Sequence, residues 1–311
     1  MSGNYSDEAG RPGVTPYFEA KDFPPPSALV EPSFGAYSRR GRLHPVNEDH
    51  YLVITLGRSQ ETVLTSLPEN LISQRFDERG FAMIVADGLG TFGSAAGEAA
   101  SRIALVTLLQ LILNYCKWSL RIDDRIAEQI MDRAERFVRH VDSAVVYEGA
   151  ARGLHQPQTT LTAVFGAGRE LFFAHVGHSR AYLLRDGSLM RLTRDHTLAS
   201  RRTAPLAPLV DVKATARDLM HVLTQTIGMS GSIGPLIDLE RFQLAGGDRI
   251  LVCTNGVTDA LDESVVAGVL GSGASLADQA RQLVDLAMDA AGDDDATALV
   301  AEFHITGQGT V

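Results

Sequence analysis

The chain has 311 residues, 45% hydrophobic and 21% charged, with a formal charge of -10 and an isoelectric point near 5.4. This suits a globular protein with enough chain for one large domain or two small ones. Lys and Arg gather only in pairs such as Arg39-Arg40 and Arg201-Arg202, which argues against nucleic acid and anionic membranes and favours cations or basic protein surfaces as partners. Cys116 and Cys253 lie among apolar neighbours, outside any CxxC pair, so a disulfide framework or zinc site is disfavoured and a reducing compartment expected. The N-terminus shows no basic-then-apolar leader, and the richest apolar stretch, Ile103–Leu113, reads as too short to span a bilayer; the expected location is cytoplasmic, without a membrane partner.

Residues 1–32, with Pro24-Pro25-Pro26 and few aliphatic side chains, read as a flexible tail. A domain over 33–306 and a short tail at 307–311 follow. Strands are expected at Ser33–Ser38, His50–Leu56, Gly80–Ala86, Thr159–Ala167, Leu171–Val176 and Ala181–Arg185. Arg185-Asp-Gly-Ser188 reads as a hairpin turn, because Asp-Gly supplies the positive φ angles of a tight connection. Two consecutive helices, Ser94 to about Trp118 and Asp123 to about Glu148, interrupt the strands and exclude a simple βαβ alternation. A loop or flap at about Leu198–Asp218 precedes Leu219–Ile227. The last third predicts a strand at Asp248–Thr254, helices near Glu263–Leu270 and Leu276–Ala291, and a strand at Ala296–Phe303. The mixture implies an α+β layered domain of antiparallel sheets covered by helices.

Asp87 closes the apolar run Phe81–Ala86 and opens into Gly88-Leu-Gly-Thr-Phe-Gly93. A carboxylate at a strand end beside glycines suits a hard cation held against bare backbone. Gly88, Gly90 and Gly93 also match the spacing of a dinucleotide fingerprint, but the acidic second strand that fingerprint needs is replaced by a helical run, Leu108–Tyr115. Asp87 would also repel a pyrophosphate. Asn47-Glu48-Asp49 and Asp293-Asp294-Asp295 are two further acidic clusters at strand mouths. A cation needing several oxygen ligands from separate segments would draw on all three. Asp195-His196 has the look of a catalytic dyad, whereas His175 and Tyr182 lie in strand-like runs and read as packing residues.

In this order the motifs resemble those of the metal-dependent type 2C (PPM) Ser/Thr protein phosphatases, bacterial branch. The stretches that carry the resemblance are Gly41-Arg-Leu-His-Pro-Val-Asn-Glu-Asp49, Val85-Ala-Asp-Gly-Leu-Gly90 with Ala96-Gly-Glu-Ala-Ala-Ser101, Thr159-Thr-Leu161, Val176-Gly-His-Ser-Arg-Ala-Tyr182, Leu192-Thr-Arg-Asp-His196, Leu251-Val-Cys-Thr-Asn-Gly-Val-Thr-Asp259 and Asp294-Asp-Ala-Thr297. The resemblance implies a four-layer α/β/β/α sandwich of two antiparallel sheets flanked by helices, with two Mn²⁺ or Mg²⁺ ions at one end. By that analogy Asp87 bridges the ions, Gly88 offers its carbonyl oxygen, Glu48 and Asp49 hold one ion's water shell, and Asn255 and Asp294 bind the other. Water activated by the ions would attack phosphorus in line. The implied partners are proteins phosphorylated on Ser or Thr, and a cognate kinase.

The chain departs from the family pattern at three positions. Asn255 stands where an aspartate ligand is usual, so that position brings no charge. His178 replaces the aspartate of a Gly-Asp-Ser-Arg motif, a position associated with a third, loosely held metal; histidine there disfavours Mg²⁺. His44 stands where a phosphate-binding arginine is usual, with Arg42 nearby as a substitute. Two readings are carried forward: a phosphatase of full or reduced activity, and a pseudophosphatase that binds phosphoproteins or kinases without turnover.

Overall fold

The structure, a computed structural model, describes residues 29–66, 75–90, 95–115, 124–200, 222–229 and 234–306. Its strands are β1 (Leu29–Arg39), β2 (Asp49–Glu61), β3 (Arg75–Leu89), β4 (Gln158–Thr159), β5 (Leu161–Ala167), β6 (Glu170–Val176), β7 (Arg180–Arg185), β8 (Ser188–Arg191), β9 (Asp238–Gln243), β10 (Arg249–Cys253) and β11 (Ala296–Thr306). The helices are α1 (Ala96–Tyr115), α2 (Asp124–Ala151), α3 (Asn255–Thr258), α4 (Glu263–Leu270) and α5 (Leu276–Ala290). One sheet runs β1-β11-β10-β7-β8; the other runs β2-β3-β5-β6-β9, with β4 paired to β3. Every pairing among these strands is antiparallel.

The near-continuous apolar run in β3 follows from burial on both faces. Phe81, Met83 and Val85 point between the sheets, against Leu183, Ile250, Val252, Leu299 and Phe303. Ala82, Ile84 and Ala86 point outward, beneath α1 and α2. β11 alternates the same way: Leu299, Ala301 and Phe303 fill the inter-sheet core, whereas Ala298 and Val300 meet α4 and α5. An antiparallel strand covered on both sides loses the polar half of its alternation. Phe81 and Phe303, with ring centroids 5.0 Å apart, join the two sheets. The expected α/β/β/α layering is therefore present.

The Asp-Gly hairpin forms as expected, with φ of 50° at Asp186 and 76° at Gly187 and Arg185 paired to Ser188. α5 is capped by Ser275, whose hydroxyl accepts from the Asp278 amide at 3.2 Å. Ser275→Ala is expected to lower stability by about 1 kcal/mol in a denaturant melt, the usual cost of losing such a cap.

Several expectations need correction. The first strand begins at Leu29 rather than after residue 32: Leu29–Pro32 pair with Phe303–Thr306, and a proline is tolerated because β1 is an edge strand. Backbone pairing, which composition does not register, extends the domain there. β8, β9 and α3 were not anticipated. β9 is a half-buried edge strand, Asp-Leu-Glu-Arg-Phe-Gln, held by Arg241 to Glu170 at 2.7 Å. The expected flap falls largely on residues 201–221, outside the described residues, as does Cys116. Cys253 is a free, buried core thiol, pushed up to about 12 by burial.

Ile103–Leu113 lies within the 20-residue helix α1, which is long and apolar enough to cross a membrane. The interruptions at Thr107 and Gln110 do not end the helix. In this fold 61% of its most apolar window is buried, against α2 and the outer face of β3.

Candidate metal centre

The two sheets bring their acidic residues to one end. Asp49 opens β2 and Asp87 lies near the end of β3, directly opposite each other in register. Like charges so placed repel unless something positive intervenes. Asp294 and Asp295 precede β11, and Asn255 begins α3 just after β10.

Threonines aim these groups. The Asp49 Oδ2 atom accepts from Thr254 Oγ1 and Thr297 Oγ1, both at 2.7 Å. Its Oδ1 is buried without a hydrogen-bond partner among the described residues. The Asp87 backbone is pinned by Thr159 Oγ1 and the Thr160 amide, which donate to its carbonyl at 2.8 and 2.9 Å. Its own amide donates to Thr160 Oγ1 at 3.1 Å. The Asp87 Oδ2 atom also has no hydrogen-bond partner among the described residues. Thr159-Thr160 and Thr297 belong to motifs quoted above, yet nothing in their spacing revealed this role.

Asn255 is oriented by two carboxylates: its Nδ2 donates to Asp259 Oδ2 at 3.1 Å and Asp294 Oδ2 at 3.3 Å. Its Oδ1 is left buried and unpartnered among the described residues. Gly88 sits against the first turn of α1, where an added Cβ would lie 2.2 Å from the Gly97 carbonyl oxygen. Only glycine allows so close an approach.

The electrostatics are strained. Burial, then Asp294 and Asp295, push Asp49 up to about 8 despite relief from Thr297 and Thr254. Burial, reinforced by Asp49, Asp294, Asp295 and Glu48, lifts Asp87 well above the carboxylate range. Glu48 is also raised, first by burial and then by Asp295 and Asp294, with partial relief from His44. A cation would reverse this logic by favouring every deprotonated carboxylate.

Asp87, Gly88, Asn255 and Asp294 line an open cavity of about 490 Å³, together with Leu43, His44 and His178. Its other lining residues include Leu89, His155, Gln156 and Gln158, a wall the sequence had not marked. Glu48 and Asp49 are buried and are not among the lining residues. His44 is not an exposed turn residue: its Nδ1 lies 3.3 Å from Asp295 and 3.6 Å from Glu48, and its Nε2 lies 3.8 Å from Asp294. His178 Nδ1 is 3.7 Å from Asp87 Oδ2.

Arg42 does not reach in. Its guanidinium bonds the Ala291 carbonyl and lies 3.1 Å from Asp293, on the turn before β11, and it does not line the cavity. Asp295 is committed to structure, accepting from the Gly41 and Glu48 amides at 2.7 and 2.6 Å. Asp195 pairs with Arg180 at 2.8 Å, and His196 Nε2 lies 3.2 Å from Asp238; they act as separate structural groups rather than as a dyad.

Among the described residues no three His, Cys, Asp or Glu side chains already form a complete cation cage. The set nevertheless fits hard divalent ions. Asp49 Oδ1, Asp87 Oδ2 and Asn255 Oδ1 are buried oxygens without hydrogen-bond partners there, and oxygen donors completed by water are what Mg²⁺ and related ions take.

A family model described as "Protein phosphatase 2C" matches residues 70–291. The chain belongs to that family. It is 30% identical over 224 residues to the serine/threonine protein phosphatase PstP of Mycobacterium tuberculosis, covering 71% of this chain and 40% of PstP. The chain therefore matches less than half the length of that relative. It is 29% identical over 230 residues to the serine/threonine phosphatase stp of Listeria welshimeri, covering 73% of this chain and 86% of that protein. Among solved structures, the catalytic domain of PstP in complex with two manganese ions superposes with a TM-score of 0.64 at 24% identity, covering 89% of this chain and 100% of that one. The phosphatase 2C fold anticipated from the motif order is thereby shown.

Proposed function

We propose that the chain is a metal-dependent phosphatase of proteins phosphorylated on Ser or Thr, opposing a cognate kinase, with Asp87, Gly88, Asn255 and Asp294 holding two Mn²⁺ or Mg²⁺ ions and Glu48 and Asp49 ordering their water. The observation that carries this reading is the convergence of Asp49 and Asp87 from one sheet with Asn255 and Asp294 from the other at an open cavity. Support for manganese comes from the PstP structure solved with that metal. When bound, the ions supply an activated water and neutralise charge developing on the phosphoryl group.

The protein's own task is to present oxygens in fixed directions. Thr254 and Thr297 commit one oxygen of Asp49 and release the other. Asp259 and Asp294 hold the Asn255 amide so that its oxygen is the free end. His44, facing the same cavity, can give a phosphate a single-point contact where arginine would give a fork.

The deciding experiment is hydrolysis of a phosphothreonine peptide by purified protein across a Mn²⁺ titration, with a chelator control. Metal-dependent phosphate release is expected. Absence of turnover at every Mn²⁺ concentration would replace this reading with the non-catalytic phosphoprotein binder.

Asn255 makes a narrower prediction. Asn255→Asp adds a charge to the ligand set, and half-maximal activity is expected at about tenfold lower Mn²⁺, equivalent to about 1.4 kcal/mol of binding. An unchanged titration would remove residue 255 from the ligands.

A further inference from the structure

Hydrolysis of a phosphoserine or phosphothreonine expels an alkoxide, a poor leaving group that needs a proton as the P–O bond breaks. Three imidazoles line the cavity: His44, His155 and His178. His44 lies among Glu48, Asp294 and Asp295, and His178 lies beside Asp87. Both are therefore on the carboxylate side, where the attacking water would be held. In-line displacement puts the entering and leaving oxygens on opposite sides of phosphorus, so the proton donor belongs elsewhere.

His155 enters from the loop between α2 and β4, a segment carrying none of the centre's carboxylates. No ion pair engages it among the described residues, and it is exposed to solvent, which can return its proton.

The loop is held in place. Leu154 and Gly153 donate amides to Gly149 and Ala150 carbonyls at 2.9 and 3.0 Å. Pro157 packs so tightly on α2 that a Cβ at Gly149 would lie 2.3 Å from its Cγ. Gln158 Oε1 accepts from Thr226 Oγ1 at 2.9 Å. Between these anchors Gln156 is forced to a φ of 46°, a left-handed conformation that side-chain-bearing residues rarely adopt and that persists when surrounding structure imposes it. A residue presented by a strained, anchored loop at a cavity wall is placed for chemistry rather than for packing.

We infer that His155 is the general acid of the reaction. Water forms the new P–O bond and releases one of its protons to solvent, the bond from phosphorus to the substrate Oγ breaks with its electron pair left on Oγ, and the protonated imidazole gives that oxygen its proton. The imidazole then regains a proton from solvent. This rests on the phosphatase reading above.

The test compares wild type and His155→Gln, both in saturating Mn²⁺, on a phosphothreonine peptide and on p-nitrophenyl phosphate, whose phenolate departs without a proton. The expected result is a kcat loss of about a hundredfold or more on the peptide and less than about fivefold on the aryl phosphate. The half-saturating Mn²⁺ and Tm should be unchanged, which separates proton donation from a loosened site. Equal losses on both substrates, or no loss on either, would overturn the role of His155 and leave the phosphatase reading standing. A wild type that turns over neither substrate would overturn both.

Discussion

Asp87→Asn is expected to reduce phosphopeptide hydrolysis by more than about a hundredfold, since residues that merely orient metal ligands already cost 10–100-fold when changed. The same substitution replaces a carboxyl, whose charged form burial and then Asp49, Asp294, Asp295 and Glu48 penalise in the fold, with an amide that is neutral in both folded and unfolded states. In the presence of a chelator the variant should therefore melt above wild type, by on the order of 1 kcal/mol or more of stability. With Mn²⁺ added, wild type should recover the lead. Thermal melts with and without metal, beside the rate assay, check both halves. Wild-type turnover in the variant would remove Asp87 from the reaction, and a lower melting temperature in chelator would contradict the repulsion argued here.

The second large effect is a pH dependence of the metal-free protein. Asp49 is held at about 8 in the fold against an ordinary value of 3.8, first by burial and then by its acidic neighbours. Between those values the folded protein keeps a proton that the unfolded chain has released. Its contribution is complete below the ordinary value and is lost as pH rises toward 8, at about 1.4 kcal/mol per pH unit for a single group. His175 acts in the opposite direction lower down. Burial, then His196, depresses it from 6.5 to about 3, so it costs stability as pH falls below 6.5. The clean window is pH 6.5 to 8, where melts in EDTA should show stability falling. Excess Mn²⁺ should abolish or invert the slope, because metal selects the deprotonated carboxylates. A rising stability in EDTA across that window would contradict the carboxylate cluster.

The layers were legible in the sequence wherever burial dictates residue type. Phe81–Ala86 could be apolar at every position only if both faces were covered, and Asp186-Gly187 could close only a tight hairpin. β9 was not legible, because a half-buried edge strand stabilised by Arg241–Glu170 carries charges rather than alternation. The site was legible in its carboxylates but not in their division of labour. Asp294 and Asp295 are chemically identical neighbours, and only the fold shows that Asp295 spends both oxygens on the Gly41 and Glu48 amides. Arg42 and His44 were ambiguous for a similar reason: a single residue separates them, and the turn sends one to Ala291 and Asp293 and the other into the cavity. His155 had no signal, since a single histidine in a loop has no periodicity, and its placement depends on the packing of Pro157 against α2.

One consequence concerns the cell rather than the reaction. The groups proposed to hold the ions and their water belong to both sheets, Asp49 and Asp87 to one and the segments flanking β10 and β11 to the other. Ions gripped between them would rivet the sandwich at that end, and mass action would then link folding to supply: free metal at a hundred times its Kd adds about 2.7 kcal/mol. Under manganese starvation the chain would not simply idle. It would open more often, meet proteases more often and fall in abundance, so that metal scarcity would suppress dephosphorylation through turnover of the protein as well as through its rate.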